Sequence, residues 1–191
     1  MKILPDRLTP TPQEFRFRAD TAWWQSALAS ERGLPRELAE PLAFALAAHR
    51  MGDDLYLEGV VEGALELECS RCLARYRHAL REPFRLVLEP AGDRSPAEPE
   101  AAGALSHHGV CLGDELETGW YRGRELDLGA FLREVVSLAI PVQPLCRESC
   151  PGLCGRCGAE LGAGPCGCPE TRSDSPFAVL ARLRGATGGD D

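Results

Sequence analysis

Six of the chain's nine cysteines crowd between Cys146 and Cys168, spaced Cys-x3-Cys-x3-Cys-x2-Cys-x8-Cys-x-Cys. Sulfur at that density restricts the fold more than any other feature of the sequence, because such side chains end up in disulfides, in a redox pair or around a shared ion. The run Cys154-Gly-Arg-Cys157-Gly158 has the form of a zinc knuckle. Two thiolates three residues apart grip one ion from a tight turn, and the glycine after them lets the backbone curl around it. Cys166-Gly-Cys168 offers a second, tighter pair. Four soft thiolates in a tetrahedron satisfy a structural zinc site. Its apparent binding free energy of ~10–16 kcal/mol can organise a segment this poor in apolar residues.

A disulfide framework and a redox Cys-x-x-Cys compete with zinc, and compartment weighs between them. Met1-Lys2-Ile3-Leu4 runs into Pro5 and Asp6 before an apolar stretch forms, so no signal peptide is expected. No apolar run approaches the length of a membrane span. The expected compartment is the cytoplasm, where thiols stay reduced and metal is favoured over disulfides. Cys69-Ser-Arg-Cys72 lies between two extended runs rather than at the start of a helix in a βαβ unit, which argues against a thioredoxin-like pair.

The sequence predicts an α+β fold, with an antiparallel sheet over about 41–90 packed on helices and a C-terminal cysteine-rich module. Leu55, Leu57, Val61, Leu65, Leu67 and Cys69 share one parity, and Tyr56, Glu58, Glu62, Glu66 and Glu68 the other. Period two over so long a run is a half-buried antiparallel strand, with Gly59 and Gly63 marking bulges or close backbone approach. Residues 41–50 read as another strand, Phe84–Leu88 as a third with Pro83 at an edge, and Phe15–Phe17 as a short edge strand. Asp20 or Thr21 caps a helix over about 22–32 that buries Trp23, Trp24, Ala27 and Leu28. A second helix, capped by Asp127, presents Leu128, Phe131, Leu132, Val135 and Leu138/Ala139 at helical spacing. Residues 173–185 suggest a short terminal helix. The domain plan is an N-terminal extension over 1–40, hairpins over 41–90, an acidic linker over 91–118, a helix over 119–145 and the cysteine module over 146–191.

Charge narrows the function. The net charge is −8, so nucleic acid would be met only through a local basic patch. Arg71, Arg75, Arg77 and Arg81 form one, with Tyr76 and His78 interleaved and no acid between residues 70 and 81. Arginine forks beside an aromatic ring suit phosphates and bases, although a solvated strand face gives the same pattern. From 91 to 120 there are six acids and one arginine, so −5 of the −8 lies there, and the segment is expected not to pack. His107, His108 and Cys111 lack paired ligands at useful spacing. No P-loop, nucleophile elbow or dinucleotide fingerprint is present, and closed cysteine sites leave no open position for catalysis.

Several stretches resemble the YceD family, the large ribosomal RNA subunit accumulation proteins. They are Leu67-Glu-Cys-Ser-Arg-Cys-Leu73, Glu125-Leu-Asp-Leu128 leading to Leu138-Ala-Ile-Pro141, Pro144 through Gly158, and Asp174-Ser-Pro-Phe-Ala-Val-Leu180. The likeness covers roughly residues 40–183 in order. Ser175 stands where the family commonly has proline directly after the aspartate. The resemblance implies a non-enzymatic factor for accumulation or maturation of large-subunit ribosomal RNA, with that RNA, an assembly intermediate or ribosomal proteins as partners. It also implies that the C-terminal cysteines are a stabilising variation, since some members lack them. The alternative is a zinc-stabilised adaptor that docks on a ribosomal protein or an RNA-processing enzyme without touching RNA.

Nine cysteines divide into four, four and one. One Zn2+ is expected at Cys154, Cys157, Cys166 and Cys168. A second is possible at Cys69, Cys72, Cys146 and Cys150, joining segments far apart in sequence. Exchange of Cys150 into the first set stays open, and Cys111 is left over.

Overall fold

The computed structural model describes residues 1–28, 34–113 and 117–168. The chain forms two compact units, Met1–Cys150 and Pro151–Asp191. The terminal helix expected over 173–185, residues 29–32 of the helix expected over 22–32 and the motif at 174–180 lie outside the described residues.

Among the described residues, the first unit contains eight strands, three α-helices and one short 3-10 turn at Pro5–Arg7. The strands are β1 (Lys2–Ile3), β2 (Gln13–Ala19), β3 (Leu38–Met51), β4 (Asp54–Glu68), β5 (Arg75–Pro90), β6 (Val110–Leu112), β7 (Thr118–Tyr121) and β8 (Leu126–Asp127). The helices are α1 (Thr21–Ala27), α2 (Pro99–His108) and α3 (Gly129–Ala139). The main sheet runs β2-β3-β4-β5-β7-β6, and β1 pairs separately with β8.

Sequence alternation decides which way the sheet faces. Leu55, Leu57, Val61, Leu65, Leu67 and Cys69 are all at most 4% exposed, so the whole parity set of β4 points into the core. Leu42, Phe44 and Leu46 of β3 join them, as do Leu80, Phe84, Leu86 and Leu88 of β5. β2 is an edge strand, as expected, paired with β3 from Gln13↔Ala48 to Ala19↔Leu42. Gly59 is there for close approach: a Cβ at that position would come within 2.4 Å of the Ala45 carbonyl oxygen and 2.8 Å of the Phe84 ring.

The apolar face is closed by α1 and α3. Asp20 accepts the Trp23 amide at 2.9 Å, and Trp24 and Leu28 are buried. The Trp24 indole donates to the Pro35 carbonyl at 2.7 Å, satisfying its one polar atom. In α3, Phe131, Leu132, Val135 and Val136 face the core, and the Phe131 ring meets Phe84 edge-on at 5.6 Å.

Four sequence expectations need correction. The sheet is mixed, because β7 runs parallel to β5; the chain leaves β5, crosses over through α2 and returns along β6 before β7 can pair. Asp127 is not the residue flanking α3 directly; Leu128 is, and Asp127 accepts the Gly129 amide from one position upstream at 2.9 Å. Of the pair Leu138/Ala139, Ala139 packs on the core and Leu138 is 64% exposed, and Val136 is buried beside them. Finally, residues 91–118 do pack in part. They contain α2 and β6, with Leu105 and Cys111 buried against Ala91 and with Trp120 alongside. Alanines at 101, 102 and 104 favour helix and let it lie close to the strands, while its acids stay in water.

The second unit is described from Pro151 to Cys168. It is a chain of turns with one antiparallel bridge, Leu153↔Glu160, and no residue in it beyond Gly152 is buried.

Candidate metal centres

Two groups of four cysteines converge: Cys69, Cys72, Cys146 and Cys150 in the first unit, and Cys154, Cys157, Cys166 and Cys168 in the second. Within each group all four sulfurs lie within 4.8 Å of one another. These are the two sets expected from the sequence. Cys150 stays with the first, at 3.8 Å from Cys69 Sγ, and Cys72 and Cys146 are also 3.8 Å apart.

Each group begins with the same turn. After Cys69, the Leu73 amide donates to the Cys69 carbonyl at 2.9 Å and the Cys69 amide to the Ala74 carbonyl at 2.9 Å. After Cys154, the Gly158 amide donates to the Cys154 carbonyl at 2.9 Å and the Cys154 amide to the Ala159 carbonyl at 2.8 Å. The residue after the second cysteine is left-handed in both, with φ 60° at Leu73 and 73° at Gly158. Glycine adopts that conformation freely and leucine does so at a cost of about 1–2 kcal/mol. In β4–β5 this turn joins two long paired strands whose register runs to Glu68↔Arg75, so the hairpin holds a conformation the side chain resists. The shared pattern Cys-x-Arg-Cys, at 69–72 and 154–157, is the sequence signal that relates the two turns.

The closing ligands differ. Cys146 and Cys150 come from the loop after α3, which reaches the hairpin tip through a bond from the Ser70 amide to the Pro144 carbonyl at 2.8 Å. Arg71 forks onto the same loop, its Nη1 donating to the carbonyls of Glu148 at 3.1 Å and Cys150 at 3.0 Å. In the second unit, Cys166 and Cys168 return on the same short segment, with Gly167 left-handed at φ 72° between them. Cys69 and Cys150 are buried, whereas Cys157 is exposed.

The fit to a tetrahedral ion can be tested on distance. With metal–sulfur bonds of about 2.3 Å, the sulfurs of a regular tetrahedron stand about 3.8 Å apart. The Cys69–Cys150 and Cys72–Cys146 separations in the first group match that edge. Ionisation points the same way. Backbone amides, that of Cys146 foremost, pull the Cys69 thiol down to about 6. The amides of Cys157 and Arg156 bring Cys154 to about 6. Burial, then the neighbouring thiols, push Cys146 up to about 12, and the thiols of Cys157 and Cys166, then burial, push Cys168 to about 12. Each cluster therefore readies one thiolate and resists a full set of four, the resistance a divalent cation removes. Either set could hold a closed structural ion.

The arginines singled out by sequence are exposed, and three of the four are paired with acids. Arg75 pairs with Glu37 and, at 3.8 Å, with Glu66; Arg77 pairs with Glu40 at 2.7 Å and Arg81 with Glu62 at 3.3 Å. Arg75, Arg77 and Arg81 share the outer face of β5, opposite Glu62 and Glu66 of β4, Glu40 of β3 and Glu37 just before it, while Arg71 lies in the turn between β4 and β5. Cys111 lies apart from both groups, against Ala91 and Leu105, and His107 and His108 close α2 on its exposed side.

Fold and sites together define a class: an α+β protein with two four-cysteine clusters, each built on one kind of knuckle. The family model "Large ribosomal RNA subunit accumulation protein YceD" matches residues 57–184, which span β4, β5, α3 and both clusters, and the chain belongs to that family. It is 24% identical over 163 residues to the "Large ribosomal RNA subunit accumulation protein YCED homolog 1, chloroplastic" of Arabidopsis thaliana, covering 75% of this chain and 49% of that one. The maize protein of the same name is 26% identical over 165 residues, covering 79% and 55%. An uncharacterized protein of Mycobacterium tuberculosis is 31% identical over 141 residues, covering 69% and 61%. The chain thus spans about half to three fifths of the length of these relatives. No solved structure matches it. No helix among the described residues is long and apolar enough to cross a membrane.

Proposed function

We propose that the chain is a non-enzymatic factor supporting accumulation of large-subunit ribosomal RNA in the cytoplasm, and that two structural Zn2+ ions hold its working surface in shape. The observation that carries the metal reading is the repeated knuckle, with 3.8 Å sulfur separations at the first site. Cys69, Cys72, Cys146 and Cys150 would clip the hairpin tip to the loop after α3. Cys154, Cys157, Cys166 and Cys168 would organise the second unit. With four thiolates apiece these ions supply structure only, because no position stays open for water or substrate.

The RNA contact belongs to the hairpin: Arg71, Arg75, Arg77 and Arg81 are its basic residues, and phosphates would compete with Glu37, Glu40, Glu62 and Glu66 for the last three. That neutralisation favours a second reading, an adaptor that meets protein rather than RNA. Crosslinking in cells separates the two. RNA adducts at residues 71–81 support direct contact; protein adducts alone support the adaptor. Metal analysis of the reduced protein should find two zinc ions per chain and one in Cys157→Ser; metal-free protein with an unchanged fold would end the structural-zinc reading.

A further inference from the structure

A groove of about 530 Å³ lies over the outer face of β5, β7 and β6, walled by the start of α2 and the loop before it. Val87, Thr118 and Trp120 form its floor, and Glu89, Glu98 and Ala101 stand along it. The volume is in the range that takes several side chains, and this face is opposite the core, so the groove is no packing defect.

The wall is built to keep its shape. Arg94 donates to the carbonyls of Pro90 at 2.6 Å and Ala91 at 3.3 Å and pairs with Glu89 at 3.3 Å. Arg122 donates to the carbonyls of Gly92 at 2.9 Å and Arg94 at 2.7 Å from the far side. Two guanidinium groups are thus committed to one surface loop. Arg94 also sits over the Trp120 ring, 4.7 Å from its centre, so the indole already serves as a seat for a guanidinium.

We propose that this groove docks an extended basic segment of a partner protein, with an aliphatic side chain against Val87 and Trp120 and Lys or Arg side chains toward Glu98 and the acids around it. Charge chooses the occupant. The wall, residues 91–100, carries Asp93, Glu98 and Glu100 against Arg94 alone, and Arg94 is occupied by Glu89 and by carbonyls. Asp93, Glu98 and Glu100 have no ion pair among the described residues. Such a field repels a phosphate backbone and attracts a cationic peptide, raising its rate of encounter. The inference stands apart from the zinc and RNA readings, since none of these residues belongs to either.

The test uses the full chain as purified, labelled for nuclear magnetic resonance. The probes are a synthetic peptide of alternating Arg and Leu, about twelve residues long, its counterpart with Glu for Arg, and a single-stranded RNA oligonucleotide. The basic peptide should bind saturably, shift the Trp120 indole and Glu98 amide signals, and weaken as salt rises. Ala101→Arg, which fills the groove and lowers its negative charge, should abolish these shifts while the Trp24 indole signal stays in place. Glu98→Gln with Glu100→Gln, both at exposed positions, should weaken binding about fivefold at low salt and flatten the salt dependence. Absence of binding, equal binding of the acidic peptide, binding indifferent to both variants, or RNA shifting these signals in the peptide's place would overturn the proposal.

Discussion

Leu73 and Arg71 show what single side chains decide at the hairpin tip. Leu73 holds φ 60° with its side chain 56% exposed, so leucine contributes little packing there and resists the turn. Leu73→Gly should stabilise the protein by about 0.5–1 kcal/mol, the relief of the left-handed conformation less the added chain entropy of glycine. A higher urea midpoint at fixed metal content is the readout, and a lower one would show that the side chain packs. Arg71 braces the loop that carries Cys150, and partners of this kind typically govern metal affinity about 10–100-fold. Arg71→Ala should therefore release metal to a chelator faster, and Arg71→Lys should rescue in part, because both bonds leave one nitrogen, Nη1, that an ammonium can imitate. The thiols add a pH dependence to the metal-free chain. Cys69 and Cys154 lie near 6 against an ordinary 9, so their contribution is full above 9 and fades as pH falls toward 6. Cys146 and Cys168 lie near 12, so theirs is full below 9 and is lost as pH rises toward 12. Metal-free stability should peak near pH 9; a chemical denaturation series across pH that peaks elsewhere would contradict this.

At the scale of elements, β4 is the spine of the fold. It pairs along its length with both β3 and β5, and its inward residues belong to the common core. Leu65, wholly buried, should cost about 2–5 kcal/mol when replaced by alanine. Glu62→Gln on the opposite face should cost well under 1 kcal/mol, since its pairing with Arg81 is exposed. Comparing the two unfolding midpoints checks the orientation of the strand directly. The same period-two pattern made β4 legible from sequence, and the helical spacing did so for most of α3. The pattern failed at Leu138 because the run Leu138-Ala139-Ile140 leaves the boundary of a helical face undecided. It failed at α2 because composition reports solvation, while three alanines and one leucine were enough for that helix to find a strand to lie on.

For the molecule as a whole, the two units carry separate ligand sets, and no cysteine is shared between them. Removal of metal should therefore proceed in two phases. The second unit, whose cysteines are intermediate or exposed, should lose its ion first, and the first unit, with Cys69 and Cys150 buried, later. A chelator competition followed by mass spectrometry should show a one-metal species in between; its absence would mean the sites are coupled.

Spacing and parity alone determined a great deal here: the strand faces, the convergence expected of the cysteines, and the family to which the chain is similar. These are local or periodic properties, written in neighbouring residues. Tertiary structure alone decided that Cys150 belongs to the first set, that β7 lies parallel beside β5, that the arginines of β5 face glutamates from β3 and β4, and that an acidic stretch walls a groove. Each depends on which distant segment arrives alongside. Burial of the common core selects that neighbour, and no short window of sequence contains it.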